Sequence, residues 1–342
     1  MNMRKDIHMR GGLDRRQVML GLGATAAVIA SPGILRAQAP VTLNGAVQFN
    51  DDHAFTKALV RFEERVKALY GKPVNFNLHK NSSLGLEKQY FEYMAQGRAV
   101  DYAIVSPAHM STFARAAPFI DAPFVFRDVD HMGKVVKANV LKPIEDEVER
   151  RAGVRLIGHA GGGTRNIFAN KPFKNMAEMR GLKIRVQGAP IWSRTFAAAG
   201  MSPTVIAYNE VYNAIQNGVI QAGENEAAGV EAMKFYEVAP NLVLTQHAVS
   251  IRPICFSMKM LATLPKDLQD AIIAAGSEAG EYGRQVESGE DSAKLETLEK
   301  AGRLKRIAFE ERDAMKKATD PVMAAYAKEI GAEAIFSSVS GV

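Results

Sequence analysis

The sequence predicts an α/β protein of two lobes, each a mainly parallel sheet flanked by helices, with a long C-terminal helix linking them. Three observations carry this. The chain has 342 residues, 47% of them apolar and 23% charged, which suits a packed protein of about two domains. Residues 41–105 alternate strand-type and helix-type patterns, an order that builds a parallel sheet covered by helices. A second series of the same character, without a detectable sequence repeat, begins at Arg155.

Val41 to Phe49 reads as the opening strand. Ala54 to Leu69 follows as an amphipathic helix with Phe55, Leu59, Phe62 and Val66 at helical spacing. Pro73 to Leu78 alternates Val74, Phe76 and Leu78 as a strand should, Leu86 to Met94 is a helix stopped by Gly97, and Ala99 to Val105 is a short apolar strand. In the second series, Arg155 to His159, Ile167-Phe168 and Leu182 to Val186 read as strands. Glu210 to Gln216 reads as a helix capped by Asn209, with Val211, Ala214 and Ile215 on its apolar face and Gly218 as its stop. Pro253 to Ser257 is a strand-like apolar run, and the chain is helical in pattern from Lys266 onward, with one helix to Ala275 and a longer one from Ser277 to Lys300. The expected division is residues 40–162 with 251–290 in lobe I and residues 163–250 with 291–342 in lobe II.

The formal charge of +6, from 43 basic and 37 acidic residues, would suit a nucleic-acid partner if it were spread over the fold. It is not. Arg4, Lys5, Arg10, Arg15, Arg16 and Arg36 stand against Asp6 and Asp14 in the first 39 residues, so the remainder carries only +2 and no nucleic-acid partner is expected. Those 39 residues have the layout of an export signal: a basic start, the uncharged run Val18 to Ala30, and the small-residue site Ala37-Gln38-Ala39. Arg15-Arg16 before a weakly apolar run resembles the twin-arginine signal. The mature chain is therefore expected in the periplasm. Its single cysteine, Cys255, forms no internal disulfide and reads as a buried small hydrophobe.

No phosphate-binding loop, dinucleotide fingerprint, H-E-x-x-H or C-x-x-C is present, and the seven histidines show no metal-ligand spacing. No cofactor and no metal is expected. Gly161-Gly162-Gly163 could cradle an anion or could be a plain turn. His53 and His79 lie near strand ends, where ligand contacts concentrate in open α/β sheets.

The densest signal comes after these residues. Gly181-Leu182-Lys183-Ile184-Arg185-Val186, Ser202-Pro203-Thr204, Glu210 to Val219, Gly223-Glu224-Asn225 and Lys234-Phe235-Tyr236-Glu237-Val238 resemble, in order and spacing, the substrate-binding proteins of TRAP transporters, the DctP family. The likeness extends back through Ala122-Pro123-Phe124 and Leu84-Gly85-Leu86-Glu87 to about Val41. It implies a periplasmic-binding-protein-like fold that holds an organic acid between its lobes and delivers it to membrane permease subunits. It places the carboxylate-binding arginine at Arg185. A guanidinium suits that role, because its fixed fork matches a carboxylate with two parallel charge-assisted hydrogen bonds. The competing role for Arg185 is a solvated side chain paired with Glu178 or Glu224.

By the same resemblance Arg165 is a second contact, and Asn225 is the asparagine of a Glu-Asn-Pro segment, although Glu226 stands here where proline is usual. Tyr208 falls where an aromatic packs on the ligand, and Glu87 matches an acidic position that accepts from ligand hydroxyls. Topology adds Gln48, Ser106, Gln187 and His79 as cleft-facing candidates. These neutral donors and acceptors point to a sugar acid such as D-glucuronate or D-galacturonate. The alternatives are a C4-dicarboxylate, a keto acid or sialate, or a periplasmic enzyme acting on a sugar acid with Glu87 or His79 as its acid or base.

Overall fold

A computed structural model describes residues 40–342; the expected export signal lies outside the described residues. The first α/β series comprises β1 (Val41–Ala46), α1 (Ala54–Tyr70), β2 (Val74–His79), α2 (Glu87–Gln96) and β3 (Tyr102–Ile104). Then come α3 (Val129–Lys137), α4 (Lys142–Ala152), β4 (Val154–Ala169), α5 (Met176–Met179), β5 (Lys183–Val186), α6 (Pro190–Ala198) and β6 (Ser202–Val205). The chain continues with α7 (Val211–Gln216), β7 (Ala222–Asn225), α8 (Ala227–Ala232), β8 (Asn241–Ser257), α9 (Met258–Leu261), α10 (Lys266–Lys300), β9 (Lys305–Ala308), α11 (Arg312–Ile330) and α12 (Glu333–Gly341).

Among the described residues, nine strands form one sheet in the order β2-β1-β3-β8-β4-β7-β5-β6, with β9 added beside β8. The α/β class holds, and both parallel units exist: β1 runs parallel to β2 and β3, and β5 parallel to β6 and β7. They are joined through β4 and β8, which pair antiparallel over almost their whole lengths. The strands expected at Arg155 to His159 and at Ile167-Phe168 are thus two parts of the 16-residue β4.

The glycine run lies inside β4, where it is neither a turn nor an exposed cradle. Gly161 and Gly162 both sit at φ 106°, at a shift in the register against β8, and a Cβ on Gly163 would lie 2.6 Å from the Glu226 Cβ. Only glycine fits such a bulge with other atoms this close.

α1 forms for the reason its pattern suggests. Phe55, Leu59, Phe62 and Val66 are buried on one face, the His53 side chain accepts from the Phe55 N–H, and Gly71 closes the helix in the left-handed conformation. The break expected near Gly276 does not occur, and α10 runs for 35 residues. Gly276 and Gly280 face β4, where a Cβ would meet the Ile157 carbonyl at 2.6 Å and the His159 nitrogen at 2.5 Å. Their role is close packing of helix on strand, and it outweighs roughly 1 kcal/mol of lost helix propensity per glycine. α1 and α10 share one core, with Phe62 and Leu59 alongside Leu268, Ile272 and Ala279. The helix expected from Glu210 starts at Val211, after a 3-10 turn over Tyr208–Glu210, and Asn209 does not cap it. Cys255 is fully buried in β8, and burial pushes its thiol pKa well up. Among the described residues no helix is long and apolar enough to cross a membrane.

Candidate ligand-binding cavity

The carboxyl ends of β1, β3, β5 and β7 meet at a small polar cavity. β5 places Arg185 on it and β7 places Asn225; Gln187 and Glu226 follow directly after those strands, and Gln48, Ser106 and Tyr208 come after β1, β3 and β6. Glu87, the first residue of α2, completes the opposite wall. His79 does not line the cavity. It ends β2, the outermost strand on its side, and its carbonyl accepts from the Val47 N–H.

Arg185 is 4% exposed. Its Nε donates to the Ile206 carbonyl at 3.0 Å and its guanidinium lies 5.4 Å from the centre of the Tyr208 ring. Among the described residues no carboxylate lies within 4.0 Å of it, and neither terminal nitrogen has a hydrogen-bond partner. Burial lowers its pKa from the usual guanidinium value. Both expected alternative partners are engaged elsewhere: Glu178 accepts from the Lys174 N–H at 2.7 Å, and Glu224 belongs to Arg165.

Arg165, in the middle of β4, is 1% exposed and surrounded by anions. Its Nε and Nη2 donate to the two Glu224 carboxylate oxygens at 2.6 and 3.0 Å, Nη2 also donates to the Glu224 carbonyl, and Nη1 donates to Glu226 and to the Ser250 hydroxyl. Every N–H group of Arg165 therefore has a protein acceptor, and it borders the cavity without a donor to spare. Burial alone would raise the Glu224 pKa, but Arg165 and the His247 hydrogen bond outweigh it and hold the value at about 2.

Asn225 donates from Nδ2 to the Tyr208 hydroxyl at 2.6 Å and accepts from the Glu226 N–H at 3.1 Å. Glu226 in place of proline thus has a local reason: proline has no N–H to orient Asn225 and no carboxylate for Arg165. On the opposite wall Glu87 is 5% exposed, not solvated, and burial raises its pKa. Its Oε2 accepts from the Ser106 N–H at 2.7 Å, and His109 Nε2 stands 3.8 Å away. Ser106 donates to Gln187 Oε1 at 2.7 Å, which leaves the buried Gln187 Nε2 without a partner.

Sequence reasoning passed over Phe55, His109, Glu226 and Arg252, all on the lining. Arg252 had a readable signal, a lone charge in the apolar run Val249 to Phe256. Among the described residues no cluster of three or more His, Cys, Asp or Glu side chains could hold a metal ion.

Comparison with known proteins places this geometry. The family described as bacterial extracellular solute-binding protein, family 7 (DctP), matches residues 45–329. A solute-binding protein of Sulfitobacter sp. (strain NAS-14.1) is 48% identical over 314 residues, covering 92% of this chain and 95% of that protein. Among solved structures, a TRAP periplasmic solute-binding protein from Sulfitobacter sp. NAS-14.1 with bound α-D-taluronate is 47% identical, with TM-score 0.86 over 88% of this chain and 97% of its own. One from Roseobacter denitrificans OCh 114 with bound L-galactonate is 28% identical, with TM-score 0.80 over 87% and 98%. This chain belongs to the DctP family of bacterial extracellular solute-binding proteins.

Proposed function

We propose that this protein is the solute receptor of a tripartite ATP-independent periplasmic transporter, and that its solute is a hydroxylated monocarboxylate, a uronate or an aldonate. One observation carries the reading: Arg185 is a buried cation on the cavity wall with no carboxylate of its own among the described residues. A solute carboxylate completes it with two charge-assisted hydrogen bonds. Arg165 is paired with Glu224 and Glu226, and Arg252 with Asp121, so among the described residues Arg185 is the one lining arginine without a carboxylate partner. One unpartnered arginine suits one carboxylate, and a second would meet the Glu87 carboxylate, which disfavours a C4-dicarboxylate. Asn225, Tyr208, Gln48, Gln187, Ser106 and Glu87 supply the polar lining a polyol chain needs. The taluronate and galactonate held by the two solved relatives support the same class.

Residues 40–162 with 251–290 form one lobe, and residues 163–250 with 291–342 the other. The cavity then lies at their boundary, and the solute draws the lobes together because both contribute contacts to the closed state. Residues 1–39 export the chain to the periplasm, where it passes its solute unchanged to membrane permease subunits driven by an ion gradient. It is a receptor and not an enzyme.

Thermal melting in the presence of D-glucuronate, D-galacturonate, D-taluronate, L-galactonate, sialate, pyruvate and succinate tests this. A ligand at one hundred times its Kd stabilises by about 2.7 kcal/mol, which raises Tm by several degrees. A rise with a hydroxylated monocarboxylate is expected. A rise with succinate alone, or with no acid, overturns the reading. NMR of the recovered solute after long incubation should show it unaltered, and a product would make the protein an enzyme.

A further inference from the structure

We infer that Arg252, in β8, is a specificity-determining contact that works with Glu87 to recognise a hydroxyl group of the solute; this rests on the reading that the cavity holds a hydroxylated acid. Arg252 lines the cavity and is 5% exposed. Only one of its nitrogens is engaged: Nη1 donates to Asp121 Oδ2 at 2.7 Å and to the Ile251 carbonyl at 3.0 Å. Its Nε is buried with no partner, and among the described residues Nη2 has none. Asp121 is fully buried and faces Arg252, so this guanidinium already has its counter-ion and offers the cavity hydrogen-bond donors rather than an unbalanced charge.

Glu87 stands on the same cavity with the complementary deficit. Its Oε2 is taken by the Ser106 N–H, and Oε1 has no donor among the described residues. The two side chains do not approach within 4.0 Å, so they do not satisfy each other. A group that fills the space between them must donate to a carboxylate and accept from a guanidinium. A hydroxyl does both through one oxygen. A second carboxylate would meet the Glu87 charge, and a methylene would leave both groups desolvated and unpaired. The pair therefore sorts polyhydroxy acids from deoxy acids and from dicarboxylates, while Arg185 recognises the carboxylate they have in common.

Removing Arg252 alone would leave Asp121 buried and unpaired, so the variant that tests the idea is the double substitution Arg252→Gln with Asp121→Asn, checked for folding by circular dichroism. Calorimetry compares the bound uronate with its single-deoxy analogues. The parent protein should bind the uronate about 10- to 100-fold more tightly than the analogue lacking the recognised hydroxyl, the usual range for a hydrogen bond to a charged group. In the double variant that ratio should fall about tenfold below the parent's, because Glu87 alone is left to hold the hydroxyl. Arg185→Lys should weaken both ligands by the same factor. A folded double variant that keeps the parent's ratio overturns the assignment to Arg252 and leaves the receptor function standing. A parent protein that binds no uronate or aldonate overturns both.

Discussion

Arg165 and Arg185 are the same side chain, almost equally buried at 1% and 4% exposure, on strands that reach the same cavity, yet their surroundings are opposite. Around Arg165 the fold assembles two carboxylates, a serine hydroxyl and a carbonyl, so the charge is complete in the folded chain. Around Arg185 it supplies one carbonyl and the face of a tyrosine ring. A buried charge is tolerated when hydrogen-bonded partners offset its desolvation, and is costly otherwise. Arg165 is therefore complete within the folded chain, whereas Arg185 is left incomplete and, on the proposed function, is completed by the solute. Substituting each should separate stability from binding.

The largest effect is expected at Arg165. Arg165→Met strands Glu224 and Glu226 in the interior, and breaking a buried pair in this way typically costs about 3–5 kcal/mol. Urea denaturation should show this as a lower midpoint with an unchanged slope. Arg185→Ala should do the reverse. No protein carboxylate loses a partner, so the midpoint should hold or rise, while binding weakens by about 2–5 kcal/mol, roughly 30-fold to several thousand-fold. Calorimetry that finds the solute bound as tightly by Arg185→Ala as by the parent would remove Arg185 from its anchoring role.

Acid should sharpen the same contrast. Glu224 has a folded pKa of about 2 against an ordinary 4.5, so its contribution is fully present above pH 4.5 and is lost as pH falls toward 2. Asp121 and Asp291 run the other way. Burial raises each to about 6 from 3.8, so the folded state takes up their protons first and gains stability as pH falls from 7 through 6 toward 4. The buried histidines oppose that gain: burial holds His109 down at about 3 and lowers His53 and His247, so each costs stability as pH falls below 6.5. In Arg165→Met the acid limb should move to higher pH than the parent's, because Glu224 has lost the cation that holds its proton off. Melting curves from pH 2 to 8 for parent and variant check this, and coincident acid limbs would contradict the pairing.

The residues announce the incomplete arginine more readily than the complete one, for a physical reason. Arg185 sits in a contiguous strand with its neighbours in register, and the helical spacing of Phe55, Leu59, Phe62 and Val66 is local in the same way. The partners of Arg165 lie 59 and 61 residues away, and only the pairing of β4 with β7 brings them to it, so its saturation has no local sign. Gly276 was ambiguous in kind: a glycine that ends a helix and one that lets a helix touch a strand look alike until β4 is placed beside it. His79 shares a strand end with true lining residues, but β2 lies at the edge of the sheet, and nothing in the chain order reveals that. Arg252 went unassigned because its strand reads as core; its counter-ion Asp121 is 131 residues away.

The smallest expected effect concerns a hydrogen bond that joins the two parallel units beside the cavity. Ser106, after β3, donates to Gln187, after β5, and both side chains are at most 3% exposed. If those units belong to different lobes, this hydrogen bond exists only when the cleft is shut. Ser106→Ala then removes about 1 kcal/mol from the closed state and nothing from the open one. Solute affinity should fall by no more than about tenfold through a faster off-rate, with the denaturation midpoint of the solute-free protein unmoved. A bond made within one rigid body would behave differently, lowering the midpoint and sparing the off-rate. Stopped-flow release alongside urea denaturation of Ser106→Ala therefore decides whether the cavity walls meet across a moving boundary or are fixed in one body, as the Arg165 cluster is.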